Sequence, residues 1–124
     1  MDAIVLRELG ASARVLARVS CDREMAAQLA ELARAVSASL GAGGKLLVIG
    51  NGGSCAEAAH LTAELTGRLG RDRKALAAIA LTDAAHLTCA ANAFGYDRAL
   101  ARWVEALARP GDVVLLISSS GNGE

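Results

Sequence analysis

Long apolar runs are missing from this sequence: although 53% of its 124 residues are hydrophobic, the apolar stretches are short and interrupted by charge. None reaches the roughly 20 residues that cross a bilayer, and no signal peptide is visible. Net charge is missing too. Thirteen basic residues balance 13 acidic ones, which removes the electrostatic footprint expected of a nucleic-acid binder. Cysteine is scarce: Cys21, Cys55 and Cys89 are odd in number, widely spaced and without any CxxC, so a disulfide framework and a cysteine-bound zinc are both disfavoured. These absences lead to the expectation of a soluble, cytoplasmic protein with reduced thiols that engages neither membrane nor nucleic acid. Internal repeats and low-complexity linkers are absent, and the length suits one domain.

What is present is an alternation of two periods. Val5, Leu9, Ser12, Leu16 and Val19 follow helical spacing, and Met25, Leu29, Leu32, Val36 and Leu40 repeat it after a break at Ser20-Cys21-Asp22. Asp22 is an N-cap for the second helix, and the glycines from Gly41 to Gly44 stop it. These helices are not needed to complete a βαβ unit, so the first packs either on its own sheet or against another subunit. Apolar runs at 46–49, 77–81 and 113–117 read as buried strands, separated by a helix after the first glycine loop, a short helix capped by Thr82-Asp83 and ending at Cys89, a loop at 92–95, and a helix bearing Tyr96, Leu100, Trp103 and Leu107. Strands alternating with helices imply parallel pairing, which brings the loops after the strands to one edge of the sheet. The predicted architecture is therefore an α/β, three-layer parallel sheet with helices on both faces. It forms a single domain with a helical part over 1–44 and a βαβαβ part over 45–124.

The densest chemistry lies from Lys45 to Arg68, KLLVIGNGGSCAEAAHLTAELTGR. A β-branched run ends at glycines and a serine, and a helical pattern starts at once. Glycines let backbone approach a ligand, and the first N–H groups of a helix have no partner within it, so such a corner binds anions. It is neither a complete GxGxxG, because Cys55 stands where the last glycine would be, nor a Walker loop. A small phosphate ester fits better than a nucleotide. His60 and Glu64 stand at i and i+4, on one helix face and one turn apart. A pair at this spacing is commonly a solvated helix contact, but behind an anion-binding corner it becomes a candidate metal pair.

GNGGS after a strand, HLTAELTGR in the next helix and GDVVLLISSSGN near the end together resemble the sugar isomerase (SIS) domain, and within it the phosphoheptose isomerase family. The resemblance implies conversion of D-sedoheptulose 7-phosphate to D-glycero-D-manno-heptose 7-phosphate through an enediol. It implies zinc held by His60 and Glu64, with Glu64 also the catalytic acid/base. Asn51, Gly52, Gly53, Ser54, Asn92, Ser118, Ser119 and Ser120, with Glu64, would line the sugar phosphate, and the protein would be a homo-oligomer, a tetramer. Serines and asparagines in turns also satisfy their own backbone. Arg68 has two readings, an oxyanion or subunit contact and a surface ion pair, while His86 matches no ligand position and reads as structural.

The sequence also departs from that pattern. Ala93 stands where the family usually has an aspartate, and Gly123 where its second loop usually ends in serine. The family continues past the point corresponding to Glu124, into a segment that supplies a glutamine and a second histidine to zinc, so the sequence reads as a fragment or as a degraded copy that depends on partners. Two alternatives to the enzyme follow: a non-catalytic module, like the SIS protein that associates with the bacterial replication initiator, and a sugar-phosphate sensor, against which the lack of a helix-turn-helix segment counts.

Overall fold

The structure, a computed structural model, describes residues 2–122. It divides into two compact units at Val36. The first contains α1 (Asp2–Cys21) and most of α2 (Arg23–Gly41). The two helices separate where the sequence breaks: the Asp22 carboxylate accepts the Met25 N–H at 2.9 Å, the cap expected of it. No residue of α1 is buried, and Leu6, Leu9 and Leu16 are each more than 60% exposed.

The second unit holds a three-stranded sheet in the order β2-β1-β3, made of β1 (Leu46–Gly50), β2 (Ala78–Ala80) and β3 (Val113–Ile117), all parallel. Alternate side chains of β1 feed two cores, as the period of two requires. Leu46 and Val48 pack with Ala58 of α3 (Gly53–Thr66) and with Val36, near the end of α2. Leu47 and Ile49 pack on the other face with Leu81 and with Leu100, Trp103 and Val104 of α5 (Tyr96–Leu107). Helices thus cover both faces of a parallel sheet, the predicted three layers. The unit boundary falls at Val36 rather than at residue 44 because Val36 packs into a sheet core and Ser39, also buried, bonds to Gly111 beside β3.

One end of the sheet is tied by polar bonds. Ser39 donates its hydroxyl to the Gly111 carbonyl at 2.6 Å. Asp112, its side chain 4% exposed, pairs with the Lys45 ammonium and accepts N–H groups from Lys45 at 2.9 Å and Arg109 at 2.7 Å. These bonds, led by the one from the Lys45 side chain, hold the Asp112 carboxyl below its ordinary value. A Cβ on Gly44 would stand 2.8 Å from the Gly111 carbonyl oxygen, so glycine is what lets this corner close.

Two expectations are corrected. The second strand is Ala78–Ala80 rather than 77–81, because it pairs with β1 over only those three residues. The helix after it, α4 (Ala84–Phe94), does not end at Cys89, and Asn92 is not in a loop. Asp83 caps that helix through the His86 N–H at 2.7 Å, and no glycine or proline interrupts it before Gly95, whose φ of 87° turns the chain into α5. Among the described residues no helix is long and apolar enough to cross a membrane, and Cys21, Cys55 and Cys89 are free thiols.

Candidate functional site

The loops that follow β1 and β3 meet around a cavity of about 640 Å³. From the first come Asn51 and Ser54, and from the second Ser118, Ser119 and Ser120. Both loops leave the same edge because the strands are parallel and in register from Leu46↔Val113 to Gly50↔Ile117. The first turn is tight: a Cβ on Gly50 would lie 2.4 Å from the Ser54 carbonyl oxygen, so only glycine lets α3 start directly against the strand end. Gly52, at φ 54°, stands at the cap of α3 with no side-chain hydrogen bond in that position. The cap residue thus brings no side chain of its own to compete for the anion that a helix N-terminus favours.

The second loop is partly self-satisfied. Ser118 accepts the Gly121 N–H at 3.0 Å and Ser120 the Asn122 N–H at 3.2 Å. A hydroxyl that accepts still has its proton to donate, so both serines retain a donor for a ligand oxygen. Among the described residues no lysine or arginine lines the cavity, whereas Asp97 and Glu105 do. An anion here would be held by neutral N–H and O–H donors, and the two carboxylates suit the hydroxyls of a polyol. The remaining wall is apolar, from Leu100 and Val104 on α5 and Val114 and Leu116 on β3.

The other predicted residues are distributed as follows. Gly52 and Gly53 form the turn and the start of α3, beside the cavity wall rather than on it. His60 is exposed and Glu64 half-buried, one turn apart on α3, and neither lines the cavity. Among the described residues no group of three His, Cys, Asp or Glu is close enough to hold a metal. The pair offers the imidazole nitrogen and carboxylate oxygen that zinc accepts, but two donors fall short of the three or four protein ligands of a zinc site. Asn92 is exposed near the end of α4 and off the cavity wall. Gly123 lies outside the described residues. Arg68 is exposed and forms no ion pair among the described residues, and His86 stacks on Trp103 with ring centroids 4.0 Å apart, a packing role.

Sequence reasoning missed the contribution of α5. Tyr96 reads there as one residue of an apolar helix face, yet its hydroxyl donates to Asn51 Oδ1 at 2.7 Å across 45 residues of sequence. Arg73 was also silent, and its guanidinium binds the carbonyls of Glu64 and Leu65 at 2.8 and 2.9 Å near the end of α3, a favourable place for a cation.

The SIS domain family matches residues 9–124. The chain belongs to the SIS-domain family. Among its SIS relatives, the phosphoheptose isomerase of Tolumonas auensis is 42% identical over 121 residues, 98% of this chain and 63% of that protein. A probable phosphoheptose isomerase of Thermoplasma acidophilum is 46% identical over 125 residues, covering all of this chain and 65% of its own length. The solved phosphoheptose isomerase of Neisseria gonorrhoeae superposes with a TM-score of 0.83 at 38% identity, over 98% of this chain and 62% of that one. The chain thus spans somewhat under two thirds of the SIS proteins that it matches.

Proposed function

We propose that this protein is an aldose-ketose isomerase that converts D-sedoheptulose 7-phosphate to D-glycero-D-manno-heptose 7-phosphate. The observation that carries the reading is the meeting of the two serine-bearing loops in one cavity lined by neutral donors, in a chain similar over nearly its whole length to proteins named for that reaction. In this reading the N–H groups at Gly52 and Gly53, the amide of Asn51 and the hydroxyls of Ser54 and Ser118 to Ser120 bind phosphate and sugar oxygens, and Asn92, which lies off the cavity wall near the end of α4, is assigned to the sugar on the family resemblance alone. Isomerisation requires that a proton leave one carbon and return to its neighbour through an enediol. Glu64 is the group assigned to carry it. Zinc, when bound through His60, Glu64 and further donors, would polarise the sugar carbonyl as a Lewis acid.

The same reading makes the protein a cytoplasmic homo-oligomer, a tetramer. It is supported by α1, which carries Ile4, Val5, Leu6, Leu9, Leu16 and Val19 and buries none of them. Sedimentation as a well-behaved monomer at micromolar concentration would defeat the assembly.

Ala93, in place of the usual acidic residue, and the lack, among the described residues, of a group of three metal-donating side chains favour a second reading, a SIS module that binds sugar phosphate without turning it over. Solvent deuterium exchange separates the two. The isomerase incorporates deuterium at C2 of the sugar, and Glu64→Gln loses that exchange while still binding sugar phosphate. Exchange at the wild-type rate in the variant would show that the base lies elsewhere, and no exchange in either protein would leave the binding module.

A further inference from the structure

The contact that joins α5 to the glycine loop has a chemical consequence for the site. Tyr96 is the residue directly after Gly95, and the φ of 87° at that glycine turns the chain so that α5 starts beside the cavity. The phenol then reaches the carboxamide of Asn51, which follows β1 in the tight turn set by Gly50, at 2.7 Å. Both side chains line the same cavity. A carboxamide has one acceptor and two donors, and a phenol that donates to its oxygen fixes the plane of the group and leaves the two N–H bonds for other partners. Without the phenol, Asn51 is an exposed turn residue whose side chain can rotate or bond to its own backbone, as asparagines in turns do.

We infer that Tyr96 is a positioning residue for ligand binding: it holds the Asn51 carboxamide so that its N–H groups face the cavity and meet the oxygens of a polyol phosphate. The inference rests on the proposed sugar-phosphate site, but the latch itself is a property of the free protein. A preset carboxamide binds without the entropy loss of ordering a free rotor, so the effect of Tyr96 passes through Asn51 and not through a contact of its own.

Two measurements test it. In the ligand-free protein, the Asn51 side-chain amide protons are expected as two well-separated resonances in a ¹⁵N spectrum, moving toward random-coil positions in Tyr96→Phe; unchanged resonances overturn the latch whatever the ligand. Calorimetric titration with sedoheptulose 7-phosphate on wild type, Tyr96→Phe, Asn51→Ala and the double variant then tests the coupling. Tyr96→Phe should weaken binding about fivefold to tenfold when Asn51 is present and less than about twofold when it is alanine. An equal loss in both backgrounds shows that Tyr96 acts directly or through folding, and overturns the inference alone. Absence of sugar-phosphate binding by the wild type would instead defeat the functional reading and, with it, the role in binding assigned to Tyr96.

Discussion

β1 and β3 are nearly the same strand in letters, LLVIG and VVLLI, and both run into loops of small polar residues, yet they live in different surroundings. β1 lies between two partners and is buried at its first four positions, with Leu47 0% exposed. Among the described residues β3 pairs with β1 alone, its exposure alternates along the strand, and Leu116 is 71% exposed. Apolar, β-branched composition makes a strand, whereas its place in the sheet decides whether that composition stabilises the fold or lines a cavity. Here the face of β3 that carries Val114 and Leu116 is a wall of the candidate site.

The sharpest way to break this comparison is to shorten one leucine in each strand. Leu47→Ala should cost about 2–5 kcal/mol, because a fully buried side chain leaves a cavity, while Leu116→Ala should cost less than about 0.5 kcal/mol. Urea unfolding midpoints measure both, and equal losses would mean that the two strands are equivalent after all. The loops divide the same way. Gly50→Ala drives a methyl into the Ser54 backbone at 2.4 Å and should cost about 1–3 kcal/mol. In the second loop Gly121, at φ 69°, has open space around it, so Gly121→Ala should cost only the backbone strain of about 1 kcal/mol. Thermal unfolding of the pair would show whether the first loop is the more tightly built.

Ligand affinity brings the two loops back together. If they form one anion site, Ser54→Ala and Ser119→Ala should each weaken sugar-phosphate binding by about 1–3 kcal/mol per lost charge-assisted bond. Calorimetry in which only one variant responds would assign the anion to a single loop, and no change in either would remove both loops from the site.

The smallest effect at neutral pH concerns the joint where the two strands begin. The carboxyl of Asp112 is held below its ordinary value, chiefly by Lys45. A lowered folded-state value means a contribution that is complete above the unfolded value of about 4 and lost as pH falls through the folded one. The stability gap between wild type and Asp112→Asn should therefore stay constant above pH of about 5 and narrow in more acid solution. A gap that does not change with pH would show that the ion pair contributes nothing.

Much of this was legible in the sequence. The first and third strands, the helix break before Asp22, the glycine stop after Gly41 and the convergence of the two loops all follow from local period and punctuation. What was not legible depends on partners distant along the chain. Lys45 and Asp112 stand 67 residues apart until the parallel register puts them together, and Ser39 meets Gly111 across 72. α4 outran its predicted end because alanine-rich sequence continues a helix until a true breaker, Gly95, arrives. Tyr96 offered only its position after that glycine, and nothing local pointed to Asn51.

The polar ties of Ser39, Lys45 and Asp112 lie at the opposite end of the strands from the serine loops. Leu46 stands opposite Val113 directly beside these ties, whereas the loops leave from Gly50 and Ile117, at the far end of the same register. The fold thus separates the joint that aligns its strands from the loops that carry the candidate site.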